Sequence, residues 1–183
     1  MGKQLSKYKS RIFLKKDYNI LIIGFDESGK TSIFNRFKYF NENENTNRTI
    51  FFNLECILYK GCNFTLWDLG GEKARILWRH YFQSANAIIF VIDSTDNDNI
   101  EDAIEEFKIM SIDEDLKGCP FLIMANRQDL ENAESPDEIK KKFGEITGRK
   151  FEVIGTSAIT GQGIEEGYEW VFNTIIKNNK KNS

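Results

Sequence analysis

Short apolar runs alternate with stretches of helical periodicity along most of this 183-residue chain. Apolar or β-rich runs predict six strands, at residues 20–23, 50–59, 62–68, 87–92, 121–125 and 151–154. Apolar residues at helical spacing predict a helix that begins at Ser32 and further helices at residues 100–111, 136–146 and 164–176. Lys60 and Gly61 separate the second strand from the third, which predicts a hairpin. This alternation predicts an open α/β sheet in one domain.

A glycine-rich segment joins the first strand to the first helix. Residues 24–31 read GFDESGKT and fit the phosphate-binding pattern G-x-x-x-x-G-K-[ST]. In this pattern backbone N–H groups turn toward a polyphosphate, and the helix N-terminus adds positive potential. We expect Lys30 to reach the outer phosphates and the Thr31 hydroxyl to ligate Mg²⁺. The alternative is an ordinary glycine turn between a strand and a helix. The predicted nucleotide contacts are Gly24, Asp26, Glu27, Ser28, Gly29, Lys30, Thr31 and Ser32.

Three more polar segments follow predicted strands, at residues 68–71, 126–129 and 156–158. Because ligands of such sheets bind at the carboxyl ends of the strands, we expect all of these segments to meet in one crevice. Asp68 can hold a water on Mg²⁺, and Gly71 can offer its N–H to a terminal phosphate. Thr49 is the candidate for a second Mg²⁺-ligating hydroxyl, or alternatively only begins a strand. A loop held through metal and γ-phosphate would be ordered with GTP and released with GDP.

Residues 126–129 read NRQD and are similar to the N-K-x-D pattern that reads guanine. The Asp129 carboxylate only accepts hydrogen bonds, so it can take both the N1–H and the N2–H₂ groups of guanine. Adenine offers no such pair of donors, and a buried carboxylate left unpaired would be costly. Asn126 and Arg127 are further predicted contacts, and a backbone N–H at Ser157 or Ala158 could reach guanine O6. The sequence therefore predicts GTP and GDP as ligands, with Mg²⁺.

Charge is unevenly distributed along the chain. Residues 1–16 carry +6, and the net charge of −3 leaves −9 for the remainder. A basic arm on an acidic body argues against nucleic-acid binding by the body and suits contact with an anionic surface. Three cysteines without metal-ligand spacing indicate reduced thiols in a cytosolic protein. The sequence contains no apolar run long enough for a membrane span.

The N-terminal arm fits the N-myristoylation pattern, with Gly2 after Met1 and Ser6 at the favoured position. On a helical wheel Leu5, Tyr8 and Ile12 share one face and basic residues occupy the other. This arrangement predicts a short amphipathic helix at a bilayer interface. The alternative is a disordered tail with an accidental glycine. We expect an arm at residues 1–16 and a nucleotide-binding domain at residues 17–183.

Taken together, these motifs resemble the ADP-ribosylation-factor (Arf/Arf-like) family of small GTPases along nearly the whole chain. The most similar segments are residues 67–71 (WDLGG), 77–82 (LWRHYF) and 125–130 (ANRQDL). The final residues also lack the prenyl-accepting cysteine of Ras and Rab relatives. The resemblance implies a P-loop small-GTPase fold, with a mostly parallel six-stranded sheet and helices on both faces.

The resemblance also implies a mode of action. GTP binding would shift the hairpin at residues 50–68 and expel the N-terminal helix onto a membrane. Phe52, Trp67 and Tyr81 would form an apolar patch that faces effectors, although packing in the core is the alternative for Tyr81. The implied partners are an exchange factor and effector proteins of vesicle and protein transport. We expect a monomer that is cytoplasmic and reversibly peripheral on endomembranes such as the Golgi.

The chain departs from the family pattern around the expected ligand. The family has a glutamine directly after the two glycines, and this glutamine orients the attacking water. Glu72 stands at that position, so the glutamine is replaced. Alternatively the glutamine is deleted and Glu72 matches the acidic residue after it, since this segment is one residue shorter than in the family. A carboxylate there repels the γ-phosphate and donates no hydrogen bond, so we expect very slow GTP hydrolysis. Phe51 replaces a glycine, and Glu27 adds a second acid beside Asp26. Arg127 replaces a lysine, and its planar group can still stack on the base.

Two other classes of function fit parts of the pattern. The first is a pseudo-GTPase, an interaction scaffold that holds nucleotide permanently or not at all. The second is a kinase of nucleotides or other small molecules, which would share residues 24–31. A kinase would leave the base-reading segment at residues 126–129 unexplained.

Overall fold

Six strands and five α-helices follow one another in the part of the chain that the structure describes. The structure is a computed structural model, and it describes residues 16–40, 53–69, 75–144 and 148–181. The strands are β1 (Asp17–Gly24), β2 (Asn53–Tyr59), β3 (Cys62–Asp68), β4 (Ala87–Asp93), β5 (Phe121–Asn126) and β6 (Phe151–Gly155). The α-helices are α1 (Lys30–Phe40), α2 (Arg75–Phe82), α3 (Asn97–Ser111), α4 (Pro136–Phe143) and α5 (Ile164–Lys181). A 3₁₀ turn spans Glu114–Leu116.

The strands form one sheet in the order β2-β3-β1-β4-β5-β6. Only the β2–β3 pair is antiparallel; the other four pairs are parallel. This topology confirms the mostly parallel six-stranded sheet implied by the resemblance. Because β1, β3, β4 and β5 run in the same direction, their carboxyl ends lie at the same edge of the sheet. The register pairs Ile22 with Asp68 and Asp93 with Asn126 along that edge.

Helices cover both faces of the sheet, and β1 shows how the chain supplies both. Side chains alternate between faces along a strand, so successive residues of β1 enter different cores. Leu21 and Ile23 pack with α2, α3 and α4, whereas Ile20 and Ile22 pack with α1 and α5. All four are completely buried. A strand buried on both faces must be a continuous apolar run, which is the pattern that the sequence shows.

The β2–β3 hairpin closes with a two-residue turn, as the sequence predicts. Lys60 and Gly61 both have positive φ, +48° and +79°, which is the requirement of a type I′ turn. The turn of the hairpin is hydrogen-bonded to α5. The Tyr59 hydroxyl donates to Glu169 and the Lys60 ammonium donates to Asn173, both at 2.9 Å. These bonds fix the far end of the strand pair that carries Asp68.

Some element boundaries differ from the predicted ones for identifiable reasons. Helix α3 begins at Asn97 rather than at residue 100, because the Asp96 carboxylate accepts the N–H of Asn99 and caps the first turn. Helix α4 ends at Phe143 rather than at residue 146, because Gly144 adopts a φ of +65°.

Helix α2 was not predicted as a helix. Its buried residues, Trp78 and Phe82, are four positions apart and lie on one face, but the helix has only eight residues. So short a segment gives little helical periodicity. Among the described residues, no helix combines the length and apolar character needed to cross a bilayer.

Candidate functional site

The segment between β1 and α1 folds into a tight loop against the carboxyl edge of the sheet. At Gly24 φ is +147°, and a Cβ there would lie 2.3 Å from the carbonyl oxygen of Val91. The Ser28 hydroxyl donates to the carbonyl of Phe25 at 3.0 Å and closes the loop. Glu27 and Gly29 have φ values of +62° and +89°. Because α1 begins at Lys30, the free N–H groups of its first turn face the space that the loop encloses.

Lys30 is the principal cation of this loop. Its side chain is buried, and its ammonium donates to the carbonyl of Phe25. Burial lowers the pKa of Lys30, while the carboxylates of Asp68 and Asp26 oppose that shift. An ammonium partly stripped of water interacts more strongly with an anion than a solvated one does. The loop therefore combines helix N–H groups and a desolvated cation, which suits a phosphate ligand.

Thr31 and Asp68 contribute oxygen atoms next to the loop. The Thr31 hydroxyl donates to Asp68 Oδ2 at 2.7 Å. A hydroxyl and a carboxylate are ligand types that Mg²⁺ prefers, so this pair fits the ion that the sequence predicts. Among the described residues, no group of three His, Cys, Asp or Glu could hold a metal. Phosphate oxygens or residues outside the described ranges would have to complete the coordination, and Thr49 lies outside them.

Asn126, at the end of β5, connects residues 24–31, which we call the phosphate loop, to the loop after β6. Its Nδ2 donates to the carbonyl of Ser28 at 3.0 Å, and its Oδ1 accepts the N–H of Ala158 at 3.1 Å. A Cβ at Gly29 would lie 2.3 Å from the same Nδ2, so only glycine permits this approach. The Asn126 side chain is almost completely buried. One side-chain amide therefore holds the phosphate loop and the loop after β6 against the end of β5.

Arg127, the residue after β5, also contacts the phosphate loop. Its Nη2 donates to the carbonyl of Glu27 at 2.7 Å, and its Nη1 forms an ion pair with Asp93 Oδ2 at 3.0 Å. Both terminal nitrogens of the guanidinium are therefore engaged by the protein. Asp93, at the end of β4, belonged to no motif in the sequence. Only its position at a strand end could have indicated it.

The converging segments enclose a cavity of about 940 Å³, within the usual range for small-molecule sites. Asp129 lies at its exposed rim. Leu130 and Ile159 add an apolar wall that the sequence analysis missed, although both directly follow predicted contacts. The described lining is Asp26, Glu27, Gly29, Lys30, Thr31, Ser32, Asn126, Arg127, Asp129, Leu130, Ala158 and Ile159.

A second cavity of about 390 Å³ lies between the phosphate loop and α3. Four carboxylates, Asp26, Asp102, Glu105 and Glu106, are among its described lining, which includes no lysine or arginine. Such a surface repels phosphate. The larger cavity, which contains Lys30, is therefore the candidate site.

Ser157 is absent from the described lining of the cavity, and its contact with a ligand stays a prediction. Its N–H donates to the carbonyl of Gln162 at 3.0 Å, and its hydroxyl accepts the N–H of Thr160 at 3.1 Å. Ser157 therefore shapes the loop, and Ala158 is the residue of the pair that meets the cavity. Gly24 and Ser28 also contribute through loop shape and are absent from the described lining.

Several predicted residues lie outside the described ranges. These are Gly2, Thr49, Phe51, Phe52, Gly71 and Glu72. Of the predicted effector patch, Trp67 and Tyr81 are described. Their ring centroids are 5.5 Å apart, and both side chains are half-buried against the core.

The fold and this site together define a P-loop nucleotide-binding domain. A glycine-rich loop connects the central parallel strand β1 to helix α1, and the desolvated Lys30 is the first residue of that helix. The family model described as "ADP-ribosylation factor family" matches residues 2–175. The chain therefore belongs to the ADP-ribosylation factor family. Members of this family are small GTPases that switch between GTP-bound and GDP-bound states, generally with Mg²⁺.

Proposed function

We propose that this chain is an Arf-like guanine-nucleotide switch that associates with membranes in its GTP-bound state and recruits effectors in intracellular protein transport. The observation that carries the proposal is the double hydrogen bond of Asn126, which sets the base-reading segment against the phosphate loop in one cavity. A purine base and its phosphates need both segments at the same time. The phosphate loop alone would not distinguish a nucleotide from a simple phosphate ester.

Guanine selection rests on Asp129. Its carboxylate lies at the cavity rim, three residues after Asn126, and can accept two hydrogen bonds from one base edge. Guanine offers the N1–H and N2–H₂ donors on that edge. Leu130 and Ile159 can cover the apolar face of a base that these bonds hold in the plane.

Asp129→Asn should exchange the base preference from guanine to xanthine. Asparagine accepts one hydrogen bond and donates another, which matches the N1–H donor and O2 acceptor of xanthine. We expect GDP affinity to fall by at least about 100-fold, because charge-assisted hydrogen bonds to guanine are lost. Xanthosine diphosphate should bind instead. Titration with fluorescent GDP and xanthosine diphosphate measures both affinities.

Asp137→Asn, on the exposed first turn of α4, is the control and should change neither affinity. Unchanged GDP binding by Asp129→Asn would contradict this role.

We propose that GTP hydrolysis is very slow. Glu72 stands where the family has a glutamine, or the glutamine is deleted beside it. An ionised carboxylate next to the γ-phosphate adds repulsion in the transition state and cannot donate a hydrogen bond to it. The proposed switch therefore remains GTP-bound for a long time after each loading.

Restoring the amide should accelerate hydrolysis. We expect Glu72→Gln, or insertion of a glutamine between Gly71 and Glu72, to raise the single-turnover rate by about tenfold or more, equivalent to about 1.4 kcal/mol of transition-state stabilisation. The two variants separate replacement from deletion. If the glutamine was replaced, Glu72→Gln should raise the hydrolysis rate; if it was deleted, only the insertion should. Glu131→Gln, at the exposed loop after the base-reading segment, serves as the control. Unmodified protein that hydrolyses GTP as fast as both variants contradicts the proposal.

A second candidate function is a scaffold with impaired nucleotide cycling. Asp26 and Glu27 line the same cavity as Lys30, so two carboxylates oppose the cation that should hold the phosphates. This balance weakens phosphate binding relative to a loop with neutral residues. Protein purified without nucleotide that also fails to load GDP would favour the scaffold over the switch.

The proposed membrane contact lies in the N-terminal arm. Residues 1–16 carry +6 and an acylation pattern at Gly2, whereas the body carries −9. One myristoyl chain binds membranes only marginally, so a basic amphipathic segment supplies the second attraction that stable anchoring needs.

Gly2→Ala should abolish association of the GTP-loaded protein with anionic vesicles, because it removes the acyl chain and leaves only the basic segment. The protein would be produced together with an N-myristoyltransferase, and vesicle sedimentation would be compared for GTP-loaded and GDP-loaded forms. Ser10→Ala, in the same arm, is the control and should leave sedimentation unchanged. Equal sedimentation of Gly2→Ala and unmodified protein would show that the arm does not act through a lipid.

A further inference from the structure

Asp93 occupies a position between the two halves of the candidate site. It ends β4, the strand between β1 and β5, and it pairs in register with Asn126. The phosphate loop follows β1 and the base-reading segment follows β5, so Asp93 lies between them at the same edge. Its carboxylate is mostly buried, with a side-chain exposure of 11%.

Both carboxylate oxygens of Asp93 have fixed partners. Oδ1 accepts the N–H of Thr95 at 3.0 Å and the Thr95 hydroxyl at 2.7 Å. Oδ2 is left to face Arg127 Nη1 at 3.0 Å. The carboxylate is therefore oriented by Thr95 and in turn orients the guanidinium. The other terminal nitrogen of Arg127 is directed at the carbonyl of Glu27.

The two backbone positions that this guanidinium links are both in the left-handed region. Glu27 has a φ of +62° and Arg127 has a φ of +68°, and neither is glycine. L-residues with side chains adopt this region at a cost, so the surrounding structure must hold them there. The bond from Arg127 to the Glu27 carbonyl joins the two positions, and Asp93 fixes the group that makes it.

From this geometry we propose that Asp93 is a positioning residue for nucleotide retention. It holds Arg127 against the phosphate loop and thereby slows the release of bound guanine nucleotide. The inference rests on the proposed nucleotide-binding function. A planar guanidinium suits this task because it can serve a carboxylate and a carbonyl at once, whereas a lysine offers a single charged nitrogen.

The release of fluorescent GDP tests this proposal. Protein loaded with mant-GDP is mixed with excess GDP, and the dissociation rate is followed by fluorescence. We expect Asp93→Asn to raise this rate about five- to tenfold, because a neutral amide orients the guanidinium less firmly than a carboxylate does. A rate within twofold of that of the unmodified protein overturns the proposal. A slower rate also overturns it, because that would mean that Asp93 draws Arg127 away from the ligand.

The chain contains a matched control ion pair. Asp113 contacts Arg79 at 2.8 Å with a side-chain exposure of 10%, and neither residue lines the cavity. Asp113→Asn removes the same charge from a comparable carboxylate, so it should leave the dissociation rate unchanged. An equal acceleration by Asp113→Asn would mean that general destabilisation explains the result, and would overturn the proposal.

A double-mutant cycle separates positioning from a structural effect. Arg127→Met removes the charged group through which Asp93 is proposed to act, so adding Asp93→Asn to it should change the rate by less than twofold. The same factor in both backgrounds would overturn the proposal. If Asp93→Asn does not fold, Thr95→Val serves in both backgrounds, since it removes one bond that orients the carboxylate. Failure of the unmodified protein to bind mant-GDP would overturn the proposed function together with this inference.

Discussion

The hydrogen bonds of one buried amide, that of Asn126, organise the candidate site. A parallel sheet brings strand ends to one edge, but it does not by itself set the spacing of the loops that leave them. Asn126 fixes this spacing by bonding the backbone of Ser28 on one side and of Ala158 on the other. Because the bonded atoms belong to the backbone, the arrangement tolerates changes in neighbouring side chains. The glycine at position 29 is required for the same reason, since a side chain there would displace the amide.

Positive and negative side chains lie close together in the candidate site and partly cancel each other. Lys30 is desolvated and should bind an anion strongly, but Asp26 and Glu27 line the same cavity. Arg127 does not fully offset these two negative charges, because its guanidinium already forms an ion pair with Asp93. The site therefore retains the form of a phosphate-binding pocket while its net charge is less favourable to phosphate. Mg²⁺ held near Thr31 and Asp68 would restore part of the attraction.

Much of the fold could be predicted from the sequence, because buried parallel strands are continuous apolar runs and turn residues separate them. The meeting of the phosphate loop, Asn126 and Asp129 at one cavity could be predicted, because each belongs to a short sequence pattern that follows a predicted strand. The proposed role of Asp93 could not be predicted, because it depends on an ion pair with a residue 34 positions later that only the sheet register brings close. The sequence could not show that the N–H groups of Ser157 and Ala158 already have hydrogen-bond partners, at Gln162 and Asn126, because these partners come close only in the folded loops. Helix α2 was missed because two turns give too little periodicity.

The central claim is that the cavity formed by these segments selects a guanine nucleotide. Isothermal titration calorimetry of the nucleotide-free chain with GDP, GTP and ADP in the presence of Mg²⁺ tests it most directly. The account predicts one site per chain for both guanine nucleotides and binding of ADP at least about 100-fold weaker, since adenine cannot occupy the Asp129 acceptors. Equal affinity for ADP, or no heat with either guanine nucleotide, would contradict it.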